Sequence, residues 1–320
     1  MPDAIDVLDL KRMIAEGLPL RDLNLSGGNY RDADLSLARF ERVDASGACF
    51  AGTTFSSTSW KDCRLDGADF SGSRAESLQM SACSVTGLQF KDAVWSRVNW
   101  QDCQGDELDL AGARLEAFVL DGCRLPGMSL QGAMLSKASW SRCMLTGLQA
   151  GAARLSELRI SDCNLDSACF STATLHQCAF DGSSLTDADF KGTQALNASF
   201  YRCTGERLCF VGALLSESIF NQARFAGVDF SRAAMEMTML AHARITDGRF
   251  DHARMRYADC TDLSAVRASM VGADVFGLNA HAADFSQADW QDSNPQDIQP
   301  IDSERLAAEQ WRPVSQGVAT

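Results

Sequence analysis

From Leu20 to Trp290 an apolar residue recurs at every fifth position. The 55 residues whose numbers are multiples of five are all apolar except Gly105 and Gly205, in a chain that is only 46% apolar overall. Every centre from Leu110 to Leu135 is leucine, and Phe220, Phe225 and Phe230 follow one another at the same spacing. Two residues before each centre the side chains are small: Ala at 23 of the 55 repeats and Cys at eight, with Leu, Val, Ser or Thr at most of the rest. A five-residue period matches neither the period of about 3.6 of a helix nor the period of about 2 of a flat strand. It suits a short extended piece followed by a corner, with two side chains of each repeat turned inward and the others outward. Four corners close a square coil of twenty residues, and stacked coils pair as parallel strands at a rise of about 4.8 Å. Residues 20–290 then make roughly 13 to 14 coils, a rod on the order of 65 Å long.

A second periodicity tests the twenty-residue coil. Phe50, Phe70, Phe90, Phe170, Phe190, Phe210, Phe230 and Phe250 fall on one face, which predicts an internal stack of rings. Leu115, Leu135, Leu155, Leu175 and Leu215 line another. Cys63, Cys83, Cys103, Cys123, Cys143 and Cys163 recur once per coil. Gly27, Gly47, Gly67, Gly87, Gly127, Gly147 and Gly227 share a phase just past a centre, as corners needing positive φ would require. The register is never broken, so no loop is expected to leave the rod.

The ends differ. Val7, Leu10, Met13 and Ile14 have helical spacing between Asp6 and Glu16, and Gly17 stops them. This predicts a capping helix over the open end of the rod. At the other end Ser293-Asn294-Pro295 interrupts the pattern. Ser303 is placed to N-cap a short helix over about 304–311, with Leu306, Ala307 and Trp311 available for docking and Pro313 ending it. Residues 314–320 are expected to be disordered. The expected division is thus 1–17 as N-terminal cap, 18–292 as β-helix and 293–320 as C-terminal cap and tail. Both ends need cover, because bare strand edges invite aggregation.

The fragments Ala68-Asp69-Phe70, Ala188-Asp189-Phe190 and Ala273-Asp274-Val275 carry the repeat in its plainest form. It resembles the pentapeptide-repeat family, whose consensus is roughly A-(D/N)-(L/F)-x-x, and the resemblance covers residues 18–292. It implies an all-β fold, a right-handed quadrilateral parallel β-helix, here with short helical caps at both ends. It says little about function.

Composition narrows the function classes. A net charge of −13 argues against direct nucleic-acid binding through phosphates. No apolar run approaches the roughly 18 residues of a membrane span. Met1-Pro2-Asp3-Ala4 has neither a basic nor an apolar leader region, and with the cysteine spacing this points to reduced thiols in a cytoplasm. The cysteine ladder could be read as a thiol wire or metal strip, but none of its spacings resembles a zinc motif, and free Cys packs well in cores. His176, His242, His252 and His281 are all assigned to outward positions, and the register assembles no catalytic triad from them. The glycines keep the five-residue phase and so mark corners, not a phosphate cradle. No catalytic residue, metal or cofactor is therefore expected. Arg244, Arg249, Arg254, Arg256 and Arg267, interleaved with Asp247, Asp251, Asp259 and Asp262, read first as solvated mixed-charge ladders and second as a dock for an acidic partner.

Apolar residues at outward positions mark the candidate partner surface. Tyr201, Ile219 and Met239 flank one face, Leu196 and Leu214 the adjacent one, and Val211 with Cys209 the next, whereas upstream coils mostly place Ser, Asp, Gln or Arg at such sites. The occupant is a protein partner, a second copy of the chain in a homodimer, or the chain's own tail. The reading is a non-catalytic, rigid protein-binding scaffold. Two branches of the family supply alternatives. One accompanies bacterial type VI secretion as accessory or effector-adaptor proteins; the opening Leu10-Lys11-Arg12-Met13-Ile14-Ala15-Glu16-Gly17, the Leu23-Asn24-Leu25-Ser26-Gly27 that follows, and the centres Trp60, Trp95, Trp100 and Trp140 are similar to it. The other binds DNA gyrase by imitating a duplex. A charge of −8 over the repeat region is thin for such mimicry, and the chain lacks the projecting loops of that branch.

Overall fold

Parallel pairing at a constant step of twenty residues organises the whole chain. The computed structural model describes residues 5–299 and 301–311. One column runs Asn24, Asp44, Arg64, Ser84 and onward through Thr204, Arg224 and Arg244 to Asp284, each residue paired with the one twenty later. The other three faces repeat the same step, as in Leu20 with Phe40 and Phe40 with Trp60. The longest strands, Val94–Gln101 and Arg114–Asp121, continue around a corner and pair along their length. The result is a four-sided parallel β-solenoid without lateral insertions.

The corners share one left-handed residue, and many add a turn hydrogen bond. In these turns the amide of the residue two before the next centre bonds back three residues, as in Ala188 N to Leu185 O at 3.0 Å. The second of the two residues between them, here Asp187, is left-handed, as a type II turn demands. Gly67 has φ 68° there and Gly147 71°, but Asp22, Arg42 and Leu37 adopt φ values of 54°, 53° and 65° at the same phase. The glycine ladder is therefore one part of a rule that holds whichever residue stands at the corner. What keeps a non-glycine there is the coil stacked upon it: Asp32 N, for example, donates to Ala51 O at 2.9 Å.

The lumen is filled by the centres and by the residues two before them. Ring centroids of Phe170, Phe190, Phe210 and Phe230 lie 4.9, 4.7 and 5.0 Å apart in sequence, stacked nearly parallel. These distances measure the coil rise. A second stack, Phe180, Phe200 and Phe220, meets the first edge-on across the lumen. The two centres that break the apolar rule have a steric cause. A Cβ on Gly105 would lie 2.5 Å from the Thr86 amide nitrogen, and one on Gly205 2.9 Å from the Leu185 carbonyl carbon.

The N-terminal helix α1 (Val7–Ala15) is capped by Asp6, whose carboxylate accepts from the Leu8 and Asp9 amides at 2.8 Å. Leu10 is fully buried, with Val7, Met13 and Ile14 packed against the first coil. The Tyr30 hydroxyl ties the entry down by donating to Ile5 O at 2.7 Å. At the far end the pairing outlasts the apolar pattern. After a single turn of 3-10 helix at Pro295–Asp297, Gln299 still pairs with Asn279. Helix α2 (Ser303–Gln310) follows, and its N-cap is Asp302 rather than Ser303: the Asp302 carboxylate accepts from the Glu304 and Arg305 amides. Leu306 is half-buried, but Ala307 and Trp311 face solvent, so of the expected docking residues only Leu306 is covered. Residues 314–320, expected to be disordered, lie outside the described residues. No described helix is long and apolar enough to cross a membrane.

Candidate partner-binding surface

The register places the six singled-out residues on a strip that covers two adjacent faces and the corners bounding them. Leu214 stands in the column Gln194, Leu214, Ala234, and Ile219 and Met239 stand in the next, following Ser199. Leu196 occupies the corner between these columns, Val211 the corner before the first and Tyr201 the corner after the second. Leu196, Leu214 and Met239 are exposed at 45%, 40% and 44%, while Tyr201, Val211 and Ile219 are half-buried. The Tyr201 hydroxyl donates to Gln222 Oε1 at 3.3 Å, and the Arg202 guanidinium lies 6.0 Å from the ring. Val211 lines a shallow hollow with Ser231, Arg249, His252 and Val271.

Sequence reasoning missed Met237, exposed at 52% on the corner shared by Leu196. Its signal was present but disguised, since Met237 has the phase at which glycine or a polar residue was expected. The same corner continues upward through Tyr257 and Phe276, whose rings meet edge-on at 5.7 Å with the Arg256 guanidinium 5.6 Å from Phe276. The contrast drawn with upstream coils is weaker than expected. Val94, Met134 and Met144 are also exposed, and the first two lie in the column of Leu214.

His281 is not outward. It is only 3% exposed, because α2 covers it and Glu309 reaches its Nε2 at 3.1 Å. Its Nδ1 has no partner among the described residues. The Glu309 carboxyl is held below its ordinary value first by that contact and then by Arg305. His242 is exposed, 3.4 Å from Asp262.

The cysteine ladder is part of the packing. All twelve cysteines are free thiols, nine of them buried. Cys83 and Cys123 donate to the carbonyls of Trp60 and Trp100 in the coil below, each at 3.5 Å. Thr58 and Ser218 use the equivalent bond, to Leu35 and Ala195. Small hydrogen-bonding residues at this inward phase thus satisfy buried polar groups, donating to carbonyls of the coil below or, as Ser183 does for the Cys163 amide, accepting from a neighbouring coil. Burial pushes the Cys178 thiol up to about 12, and it drives Cys203 and Cys260 upward as well. Such thiols stay neutral and unreactive. Among the described residues no group of three or more His, Cys, Asp or Glu side chains is placed to hold a metal ion.

The arginines of the C-terminal third are mostly taken up by their acidic neighbours. Arg267 makes two bonds to Asp247 at 2.6 and 2.7 Å, Arg256 reaches Asp274 at 2.6 Å, Arg254 reaches Glu236 at 2.8 Å, and Arg249 reaches Asp251 at 2.9 Å. These are exposed pairs, which contribute little to stability but thin the acidic field of the rod.

Comparison with known proteins agrees with this architecture. The pattern for pentapeptide repeats matches residues 20–56, 48–87, 168–204 and 209–247, with eight copies. HetL, a pentapeptide-repeat protein involved in heterocyst differentiation regulation in the cyanobacterium Nostoc, is 16% identical; the match covers 93% of this chain and 98% of that one, with a TM-score of 0.33. QnrB1, a plasmid-mediated fluoroquinolone resistance protein, is 14% identical over 78% of this chain and 93% of its own, at 0.32. A pentapeptide-repeat protein of the Arabidopsis thaliana thylakoid lumen is 18% identical over 43% and 83%, at 0.26. No curated protein sequence matches the chain. With its twenty-residue pairing step, left-handed corners and inward Ala, Cys and Phe ladders, the chain belongs to the pentapeptide-repeat family.

Proposed function

We propose that the protein is a rigid, non-catalytic binding scaffold that presents the strip around Leu196, Tyr201, Val211, Leu214, Ile219 and Met239 to a protein partner. The observation that carries this reading is the clustering of exposed Leu196, Leu214, Met237 and Met239 on one edge of a rod whose other apolar side chains are mostly internal. A contiguous apolar patch on a soluble rod usually marks a contact surface. The scaffold favours binding because its outward residues are pre-positioned by the ladders beneath them, so little entropy is lost on association. An effector or adaptor of a secretion system fits this reading as an occupant. A gyrase-binding role would rest on acidity, which the arginine pairs along the rod reduce.

The test is affinity capture of the tagged chain from its native host at two salt concentrations, beside light scattering of the purified protein. The double variant Tyr201→Glu with Ile219→Glu is expected to abolish partner or homodimer binding while circular dichroism is unchanged. Undiminished binding by that variant refutes the strip. Altered supercoiling by purified gyrase in the presence of the protein would favour the acidic reading instead.

A further inference from the structure

The column that carries Leu214 has a second feature, three to seven coils nearer the N-terminus and independent of the strip above. Arg74, Val94, Arg114, Met134 and Arg154 stand directly upon one another, joined rung by rung through parallel pairs. All five are exposed, Val94 at 49% and Met134 at 41%. None of the three arginines makes an ion pair with another described residue. This sets them apart from the arginines of the C-terminal third, which are mostly neutralised. The acidic residues beside the column are Glu76, Glu116 and, at the corner beyond Arg154, Glu157 on one flank, and Asp92 on the other. Glu76 is engaged by Arg97 and Glu116 by Lys137. The rungs enclose a shallow groove of about 380 Å³ running from Val94 to Ser156. The corner on the Asp92 flank carries Gly112, Gly132, Gly151 and Ala152, so little relief obstructs an object lying along the face.

We propose that this face docks an acidic amphipathic α-helix of a partner protein, laid parallel to the rod axis. The spacing selects the occupant. Stacked ring centroids 4.7 to 5.0 Å apart measure one coil. Alternate rungs, and hence successive arginines, therefore lie about 10 Å apart, while seven helical residues rise about 10.5 Å and return to the same side. One coil corresponds to a step of three to four helical residues. A helix with carboxylates at the first position of each heptad and apolar side chains at the fourth would set carboxylates over Arg74, Arg114 and Arg154 and apolar groups over Val94 and Met134. An extended strand does not match, since residues about 10 Å apart along it point to opposite faces. A phosphate backbone would meet the arginines but has nothing apolar for Val94 and Met134.

The experiment uses the full chain and a fluorescent peptide of about three heptads, with Glu at the first and Leu at the fourth position of each, followed by anisotropy. A control peptide has the same composition in shuffled order. The expected result is saturable binding of the patterned peptide, weakened at least about tenfold by Arg114→Glu and by salt, with the shuffled peptide weaker by a similar factor. The milder Arg114→Gln with Val94→Ser guards against a fold defect, and circular dichroism checks each variant. Equal binding of both peptides, no loss in the Arg114 variants, or no binding of the patterned peptide would each overturn the proposal. Binding of heparin but of neither peptide would do so too, by showing a polyanion site. The Tyr201→Glu, Ile219→Glu variant should bind the patterned peptide as the parent does, so that failure of one surface is distinguishable from failure of the other.

Discussion

Removal of the Phe210 ring should open a cavity that the rod cannot close. Phe210 is fully buried between Phe190 at 4.7 Å and Phe230 at 5.0 Å, both stacked, with Phe200 and Phe220 edge-on at 5.2 and 5.6 Å. The backbone around it is tied on both sides: Phe210 N donates to Asp229 O at 2.7 Å, and Cys209 N to Ala188 O at 3.0 Å. Collapse of the coil onto the void would break these ladders, so relaxation is small. Phe210→Ala is therefore expected near the upper part of the usual range of about 3–5 kcal/mol. Solenoid stability is roughly a sum of nearest-neighbour interfaces, so the loss should be local. Native-state hydrogen exchange reads it: amides of residues 190–230 should exchange about two or more powers of ten faster, while those of 40–80 hold. Phe285→Ala is the control, because Phe285 is only partly buried near the end of the rod, with Trp290 at 5.2 Å as its ring partner. It should cost less than half as much. A Phe210→Ala loss below about 1 kcal/mol, or uniform acceleration along the rod, would refute the account of a stiff, locally coupled lumen.

Three further outcomes are expected. Gly105→Ala forces a Cβ against the Thr86 nitrogen and the Val85 carbonyl carbon, and it should destabilise by about 1–3 kcal/mol in urea unfolding. Thiol titration of the native protein should reach only the half-buried Cys49, Cys169 and Cys209, with the nine buried thiols reacting after denaturation; fast labelling of the ladder would contradict its packing role. The Glu309 carboxyl is lowered from 4.5 in the folded chain by His281 and Arg305, so its contribution to docking α2 is present above 4.5 and fades as pH falls through the lower folded value. Exchange of the amides around His281 should rise over that interval, and Glu309→Gln should remove the pH dependence.

Much of the fold is legible in the chain because each coil repeats one solution. Period five, the twenty-residue Phe and Cys ladders and the unbroken phase determine the four-sided coil, since any other register would expose Phe190 or bury Asp189. The helix α1 was equally plain from Asp6, Leu10 and Gly17. Less legible were features set by contacts across coils or between ends. Nothing in the local pattern marks Asp302 over Ser303 as the N-cap, because both residues are capable caps and the chain path chooses. His281 has an outward phase, yet it is buried because α2 returns over it. The corner rule extends to Leu37 and Arg42, which no propensity favours in left-handed backbone, because stacking on the next coil outweighs the local cost.

The candidate surfaces divide the same way. Sequence phase alone places Leu196, Leu214, Ile219 and Met239 outward, and it places Arg74, Arg114 and Arg154 in one column. Whether a given arginine is neutralised depends on side chains one coil away, some twenty residues distant in the chain, as Arg267 with Asp247 shows. The sequence determined the rod and the address of every side chain upon it, because inward and outward follow from a period of five. Only the tertiary structure decided which of those addresses stay open, because partnering is settled between stacked coils and folded-back ends that the period does not encode.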